Sequence, residues 1–191
     1  MRQGWTVLLL CGASGIGKST LARAMGVHYG VPVTSGDDIV TGIKALTGPG
    51  THPVLHRWDT DLATRSWSPR QISELHLQAA EVLQPAFAAV IAERLDEGTR
   101  TVLEGDYLLP SLATGHDGRV VGVMLVESEG AALESNYGAR APGENHRFRS
   151  EVSVLLGDAF TTMAKEAGMP VVSARPWGDS VARVVDALTS R

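Results

Sequence analysis

Two spacings of apolar residues take turns along the chain, and together they predict alternating strands and helices. Five short runs of consecutive apolar residues are typical of parallel strands covered on both faces, at residues 6–11, 31–34, 101–103, 120–126 and 169–173. Apolar residues at helical spacing predict helices over residues 18–29, 39–46, 68–97, 129–137, 151–167 and 179–188. The order favours an α/β fold with a mostly parallel sheet.

Residues 47–69 interrupt this alternation, because they are rich in glycine and proline and include two tryptophans and two histidines. Long loops in compact domains usually carry function, so residues 47–75 are predicted to cover the substrate. The helix that follows is predicted to begin at Ser68-Pro69, a favourable cap and first-turn pair. Pro85 lies inside it and is expected to kink or divide it.

A glycine-rich motif lies directly between the first strand and the first helix. Residues 12–19 read G-x-x-x-x-G-K-S, the pattern whose backbone N–H groups surround phosphate oxygens at a helix N-terminus. Lys18 would bind the β- and γ-phosphates, and the Ser19 hydroxyl would hold Mg²⁺. The motif therefore predicts a nucleoside triphosphate, here ATP. Its expected contacts are Gly12, Ala13, Ser14, Gly15, Ile16, Gly17, Lys18, Ser19 and Thr20.

Two pairs of acidic residues follow strands that end at the same edge of the sheet. Asp37 and Asp38 come after the second strand, and we expect one of them to bind the substrate and take its proton, with Asp37 as the first candidate. The alternative is that both only cap the next helix. Glu104 and Asp106 follow the third strand; Glu104 is expected to face Mg²⁺, partly through water, and both are expected to face the substrate. The alternative is a solvent-exposed turn.

Several arginines are candidates for contacts to ATP. Residues 138–149 are predicted to form a lid in which Arg140 acts in phosphoryl transfer and Arg147 also binds the nucleotide. A solvated surface run of charges is the alternative. Arg175 and Pro176 follow the last strand and are expected beside the nucleotide base. The alternative for Arg175 is a surface turn residue.

Other polar residues of the chain give weaker signals. His56, Arg57 and Asp59 are candidate substrate contacts. His52, His56 and His76 match no zinc spacing and are interpreted as loop or helix-surface residues.

Composition narrows the class of protein. The 191 residues suit one domain, and the formal net charge of −4 with a pI of about 5.8 argues against a nucleic-acid partner. No uninterrupted apolar stretch reaches the ~18–20 residues of a membrane span, so no membrane partner is expected. The single cysteine, Cys11, fits a reducing cytoplasm and is interpreted as a buried small hydrophobe.

Taken in order, these motifs resemble the small P-loop kinases of metabolites and antibiotics, such as chloramphenicol phosphotransferase, gluconate kinase, shikimate kinase and 2-phosphoglycerate kinase. The resemblance rests on residues 12–19, 35–39, 103–106, 140–149 and 174–176. It implies a P-loop NTPase fold, a three-layer α/β/α sandwich with five parallel strands in the order 2-3-1-4-5, and ATP with Mg²⁺. In several relatives an Asp, any residue and an aliphatic residue bind the acceptor hydroxyl, which matches Asp37-Asp38-Ile39. Glu104 stands where relatives carry Asp, and the Asp-x-Asp of shikimate kinase is absent.

The leading hypothesis is therefore an ATP-dependent kinase for a hydroxyl of a small molecule. A regulatory nucleotide-binding module with slow hydrolysis is the first alternative, although the guanine-reading Asn-Lys-x-Asp is missing. A nucleoside or nucleotide kinase is the second alternative. The acceptor and the oligomeric state are not readable from the sequence.

Overall fold

The sheet of this computed structural model has five parallel strands in the order β2-β3-β1-β4-β5, which confirms the predicted fold. The structure describes residues 4–61, 66–142 and 146–190. The strands are β1 (Val7–Cys11), β2 (Val33–Ser35), β3 (Thr101–Gly105), β4 (Val120–Val126) and β5 (Val171–Ser173). β1, β3 and most of β4 are buried, as their unbroken apolar runs predict.

Helices cover both faces of this sheet. They are α1 (Lys18–Tyr29), α2 (Gly36–Leu46), α3 (Pro53–Thr60), α4 (Pro69–Glu97), α5 (Gly130–Arg140), α6 (Arg147–Glu166) and α7 (Ser180–Thr189). Alternate residues of β1 divide the core: Val7, Leu9 and Cys11 pack with α4 and α6, whereas Leu8 and Leu10 pack with α1 and α7. Cys11 is fully buried, as expected for a small hydrophobe.

Strand register brings the acidic residues together. Ser35 at the end of β2 pairs with Glu104, and Cys11 at the end of β1 pairs with Gly105. Gly36 lies so close to β3 that a β-carbon there would be 2.9 Å from the Glu104 carbonyl oxygen. The first turn of α2 is therefore held against the end of β3, beside the phosphate loop.

Helix α4 supplies much of one core layer. Ser68 and Gln71 form a complete capping box at its start, as the sequence predicts for Ser68-Pro69. Of the two expected effects of Pro85, a division is wrong, since the helix is continuous there, and a kink stays a prediction. Proline has no backbone N–H, so Pro85 removes one donor from the helix. The Gln84 side-chain amide donates to the Ala80 carbonyl oxygen (2.8 Å) and so adds a donor in the same turn.

Among the described residues, α4 is also the one helix long and apolar enough to cross a membrane by length and composition, with a mean hydropathy of 1.3 in its best window. The sequence was expected to contain no apolar segment long enough to span a membrane, and this window of α4 is an exception by length and composition. Its buried face includes Leu83, Phe87 and Ile91, which belong to the core around the sheet. A core helix passes the same length and composition test.

Two segments predicted as loops are partly helical. Residues 47–69 contain α3, which begins with Pro53 at a first-turn position; residues 62–65 of this segment lie outside the described residues. In the predicted lid at 138–149, Arg140 lies in the last turn of α5 and Arg147 at the start of α6. Residues 143–145 of that lid lie outside the described part.

Phe87 gives a direct test of the core formed by α4. It is completely buried, so Phe87→Ala should lower the free energy of unfolding by about 3–5 kcal/mol in urea denaturation. Val82, on the same helix and 41% exposed, is the control, and Val82→Ala should change it by about 0.5 kcal/mol or less. Equal effects of the two variants would contradict the placement of α4.

Candidate active site

The phosphate loop has the backbone that its glycines allow. Gly12 and Gly17 adopt φ values of 142° and 88°, in a region that side chains rarely tolerate. A β-carbon on Gly12 would lie 2.5 Å from the Leu125 carbonyl oxygen, and one on Gly17 would overlap the Trp177 ring. Helix α1 begins directly after Gly17 and has no acidic residue in its first turn. No acidic residue of α1 itself therefore competes for its N-terminal N–H groups and positive dipole end, which are typical of an anion site.

Lys18 is buried at the centre of the site. Its ammonium donates to the Ala13 carbonyl oxygen (2.7 Å) and forms an ion pair with Asp106. Burying an ammonium is costly unless charge and hydrogen bonds compensate, so these contacts fix where the lysine lies. The amine is thus held at the phosphate loop by the Ala13 carbonyl oxygen and the Asp106 carboxylate, which are the partners that a bound phosphate would replace.

Ser19 and Glu104 form a pair with the composition of a magnesium site. Ser19 donates a side-chain hydrogen bond to Glu104, a buried carboxyl whose pKa is raised mainly by burial. Among the described residues, no cluster of three or more His, Cys, Asp or Glu side chains is arranged to hold a metal. A hydroxyl and one carboxylate fit Mg²⁺, which keeps several waters and takes further oxygens from a substrate's phosphates.

Asp37 and Asp106 have opposite electrostatic surroundings. Burial and then the nearby charge of Asp106 raise the pKa of Asp37. For Asp106, burial alone would raise the pKa, but the Lys18 ammonium and its hydrogen bond outweigh this, so the pKa is lowered. Two neighbouring carboxylates therefore differ in proton affinity, as acid–base sites require.

Asp38 occupies the next position of α2 and, like Asp37, is exposed. Its backbone N–H donates to the Ser35 hydroxyl at 3.4 Å. Ser35 is the cap of α2, so the alternative in which both aspartates serve as caps is wrong in its choice of capping residue.

A cavity of about 510 Å³ adjoins this acidic centre. Ser14 of the phosphate loop and Asp106 line one part of it. The walls are mainly apolar and aromatic: Val40, Leu55, Trp58, Ile72, Leu75, Ala79, Leu83, Tyr107, Tyr137, Phe148, Val152 and Leu156. The other polar lining residues are Lys44, His76, Arg149 and Ser153. Its size and its proximity to the phosphate loop make it the candidate acceptor site.

His76 belongs to this cavity, and its interpretation as a loop or helix-surface residue is wrong. Its ring stacks on Tyr107, with centroids 4.2 Å apart, and Nε2 lies 3.0 Å from the Asp106 carbonyl oxygen. Burial lowers its pKa below the usual value for histidine. The sequence held a signal, because Ile72, His76, Ala79 and Leu83 follow one helical stripe.

His56 is also misassigned. It is buried on α3, and its Nε2 lies 2.9 Å from the Thr47 hydroxyl. Its neighbour Arg57 is exposed near the Trp67 ring, whereas Leu55 and Trp58 of the same helix line the cavity. A role of Arg57 in substrate binding stays a prediction.

The three arginines of the predicted lid differ in their exposure and in their contacts. Arg140 is exposed at the end of α5, and Arg147 is largely exposed with its Nε 3.0 Å from the Glu151 carboxylate. Arg149 lies over the Tyr137 ring, 4.4 Å from its centroid, and lines the cavity. Only Arg149 of these three therefore contacts the candidate acceptor site.

Arg175 is linked to the phosphate loop through an asparagine that the sequence reading missed. Its guanidinium donates to the Asn136 side-chain oxygen (2.8 Å) and pairs with buried Glu127, while the Asn136 amide donates to the Gly15 carbonyl (2.9 Å). Pro176 is exposed, and its carbonyl accepts from Arg183. No local motif marks Asn136, because its partners are distant in sequence.

Comparison with curated proteins finds similarity along nearly the whole chain, although no family model matches. The chain is 24% identical over 203 residues to a 2-phosphoglycerate kinase of Methanococcus maripaludis strain C6 and 24% identical over 200 residues to one of Methanocaldococcus jannaschii. Each alignment covers 97% of this chain. The chain spans 64% and 63% of the lengths of these two relatives, respectively.

Solved structures show the same fold at low sequence identity. A gluconokinase from Sinorhizobium meliloti 1021 superposes with a TM-score of 0.56 at 19% identity, covering all of this chain and 94% of that one. A shikimate kinase from Bacteroides thetaiotaomicron superposes with a TM-score of 0.50 at 14% identity, covering 96% and 98% of the two chains. The chain therefore has the fold of the small P-loop kinases and resembles 2-phosphoglycerate kinases in sequence.

Proposed function

We propose that the protein is a kinase that transfers the γ-phosphoryl group of ATP to a hydroxyl of a small molecule. One observation carries the proposal: the buried Lys18 of a phosphate loop is paired with Asp106 at the mouth of a cavity of about 510 Å³. A triphosphate site and an acceptor site thus share one boundary. The similarity to curated kinases supports this class of reaction.

Lys18 is assigned the triphosphate. When phosphate oxygens enter the loop, they can replace the Ala13 carbonyl and the Asp106 carboxylate as partners of its ammonium. The amine then neutralises charge on the β- and γ-phosphates, and Asp106 becomes available to the acceptor. The loop's amides and the start of α1 hold the phosphates in line with the cavity.

Asp37 is assigned the proton of the acceptor hydroxyl. A general base is more effective when its pKa lies nearer to the working pH, and Asp37 has the raised pKa whereas Asp106 has the lowered one. Asp106 then orients the hydroxyl through hydrogen bonding. Asp38 and Glu104 are the other predicted substrate contacts. Asp38 is exposed on α2, and the Glu104 carboxyl accepts a hydrogen bond from the Ser19 hydroxyl.

Ser19 and Glu104 would hold Mg²⁺, Glu104 partly through water. The ion supplies charge neutralisation for the phosphates during transfer. Arg140 and Arg147 are proposed to approach the phosphoryl group from the lid, and Arg175 with Pro176 to border the base. We also propose a cytoplasmic location, which the single cysteine supports because a cysteine stays reduced there.

The nucleotide site is tested by Lys18→Ala. Loss of the ammonium should weaken ATP binding roughly tenfold or more in titration calorimetry, because a charge-assisted contact contributes about 1.5–3 kcal/mol. Lys165→Ala removes an exposed lysine of α6 and is the matched control, which should bind ATP as the unmodified protein does. Unchanged affinity in Lys18→Ala would contradict the phosphate assignment.

The base is tested by Asp37→Asn in an assay of acceptor-dependent ADP release. Turnover should fall roughly a hundredfold or more while ATP affinity changes little, the effect expected of a general base. Asp38→Asn should retain most of the activity. ADP release that is independent of any acceptor would instead indicate a regulatory NTPase.

The same pair of variants tests the electrostatics through stability. A carboxyl whose pKa is raised by folding destabilises the protein above that pKa and has no effect below its unfolded pKa. Asp37→Asn should therefore increase the urea midpoint at pH 7 relative to Asp38→Asn, and the gain should vanish as the pH falls towards the ordinary value near 3.8. Asp38→Asn corrects for the loss of a first-turn carboxylate, which both variants share. A lower midpoint for Asp37→Asn at pH 7 would contradict this environment.

A further inference from the structure

We propose that the acceptor is an uncharged hydroxyl compound with an apolar, ring-sized body, bound in the cavity with its hydroxyl at Ser14 and Asp106. The transfer step rests on the proposed kinase function, whereas binding in the cavity does not. This acceptor class differs from the phosphorylated acid named for the curated relatives.

The position of the cavity fixes which end of the compound reacts. Ser14 belongs to the phosphate loop, and Asp106 bonds both Ser14 and Lys18. These two residues therefore connect the cavity lining to the phosphate loop. A hydroxyl placed there lies beside the γ-phosphate position, and the rest of the molecule must lie between α2, α3, α4 and α6.

The walls against that body are apolar over most of their extent. Leu75, Leu83 and Leu156 are buried residues of this lining, and the stacked rings of His76 and Tyr107 form one side. Two aromatic side chains of the lining remain accessible, Trp58 (53% exposed) and Phe148 (40% exposed). Covering them with an apolar ring gains about 25 cal/mol for each Å² removed from water.

The charges of the lining do not form an anion site. Lys44 is bonded to Asp59 at 2.5 Å, and Arg149 lies over the Tyr137 ring. The lowered pKa of His76 leaves that ring neutral at pH 7. A phosphorylated acid needs several convergent cations, most often bidentate arginines. An acid would have to compete with Asp59 for Lys44, and the described lining then offers it Arg149 as the other permanent cation.

The size of the cavity agrees with this class. A volume of about 510 Å³ lies within the range of about 300–1,000 Å³ that encloses compounds of one or two rings. A three-carbon acid would leave much of the apolar wall in contact with water. The hydrophobic effect therefore favours a larger apolar body over a small polar one.

The transfer itself balances without any further reactant. The acceptor oxygen forms a bond to the γ-phosphorus, and the bond from that phosphorus to the β,γ-bridging oxygen breaks. The bond's electron pair leaves with ADP, and the hydroxyl proton passes to the Asp37 carboxylate and then to solvent. The products are the phosphate monoester of the acceptor, ADP and one proton.

Two panels of acceptors test the proposal on the full chain with ATP and Mg²⁺. The apolar panel contains naphthylmethanol, phenylpropanediol and cyclohexylethanol; the anionic panel contains glycerate, gluconate and 2-phosphoglycerate. Binding of each compound is measured by calorimetry without nucleotide, and ADP release and product mass are measured with it. The apolar panel should bind and be phosphorylated at least about tenfold more efficiently than the anionic panel, a difference typical of a pocket that buries apolar groups.

Variants locate the binding site. Trp58→Ala should raise the KM or Kd for the apolar compounds roughly tenfold and leave the KM for ATP unchanged. Val82→Ala, an exposed aliphatic of α4 outside the lining, is the control and should change neither value. Circular dichroism checks that both variants are folded.

The outcomes separate this proposal from the kinase assignment. Turnover of the anionic panel alone would overturn the apolar acceptor and leave the kinase assignment standing. Binding of apolar compounds that depends on Trp58, with no ADP release, would support the cavity and count against the transfer step. Absence of apolar binding, or binding that Trp58→Ala does not alter, would overturn the proposal.

Discussion

The ion pair between Lys18 and Asp106 joins the two halves of the site. Lys18 is buried where β1 turns into α1, and Asp106 follows β3, the neighbouring strand. A buried ammonium without a partner would be strongly destabilising, so the ends of these two strands and the phosphate loop that follows β1 must keep their relative positions. The same charge that stabilises this arrangement is the one that a triphosphate would recruit. Stability and proposed function therefore depend on one contact.

The surrounding carboxylates acquire different properties from this contact. Burial alone would raise the pKa of Asp106, but the Lys18 ammonium outweighs it, so that pKa is lowered. Burial and then the negative charge of Asp106 raise the pKa of Asp37. Glu104 is paired with Ser19 instead. In the proposed reaction, these three acidic residues at one sheet edge are divided between lysine binding, proton transfer and metal binding. The division follows from position relative to Lys18 and Ser19, not from residue type.

The sequence predicted the parts of the site that are encoded locally. The phosphate loop is a contiguous motif, and the unbroken apolar strands predict a parallel sheet whose carboxyl ends meet. This is why the sequence alone assigns Asp37, Glu104 and Asp106 to one edge of the sheet. Cap chemistry likewise fixed the start of α4 at Ser68-Pro69.

Other parts depend on contacts between distant segments and were missed for that reason. His76 reaches Tyr107 across 31 positions, and Asn136 bonds Gly15 across 121. The sequence predicts a loop where α3 lies because glycine and proline residues occur in that segment. A loop has no regular faces, so the sequence did not show that Trp58 lines the cavity whereas Arg57 lies near the Trp67 ring. Cavity shape arises from the packing of α4 against α6, which no single segment specifies.

A crystal structure with a non-hydrolysable ATP analogue and Mg²⁺ tests the central claim most directly. The account predicts the β- and γ-phosphates among the amides of residues 12–19, with the Lys18 amine moved from the Ala13 carbonyl and Asp106 onto phosphate oxygens. An analogue bound elsewhere, with Lys18 still paired to Asp106, would contradict it.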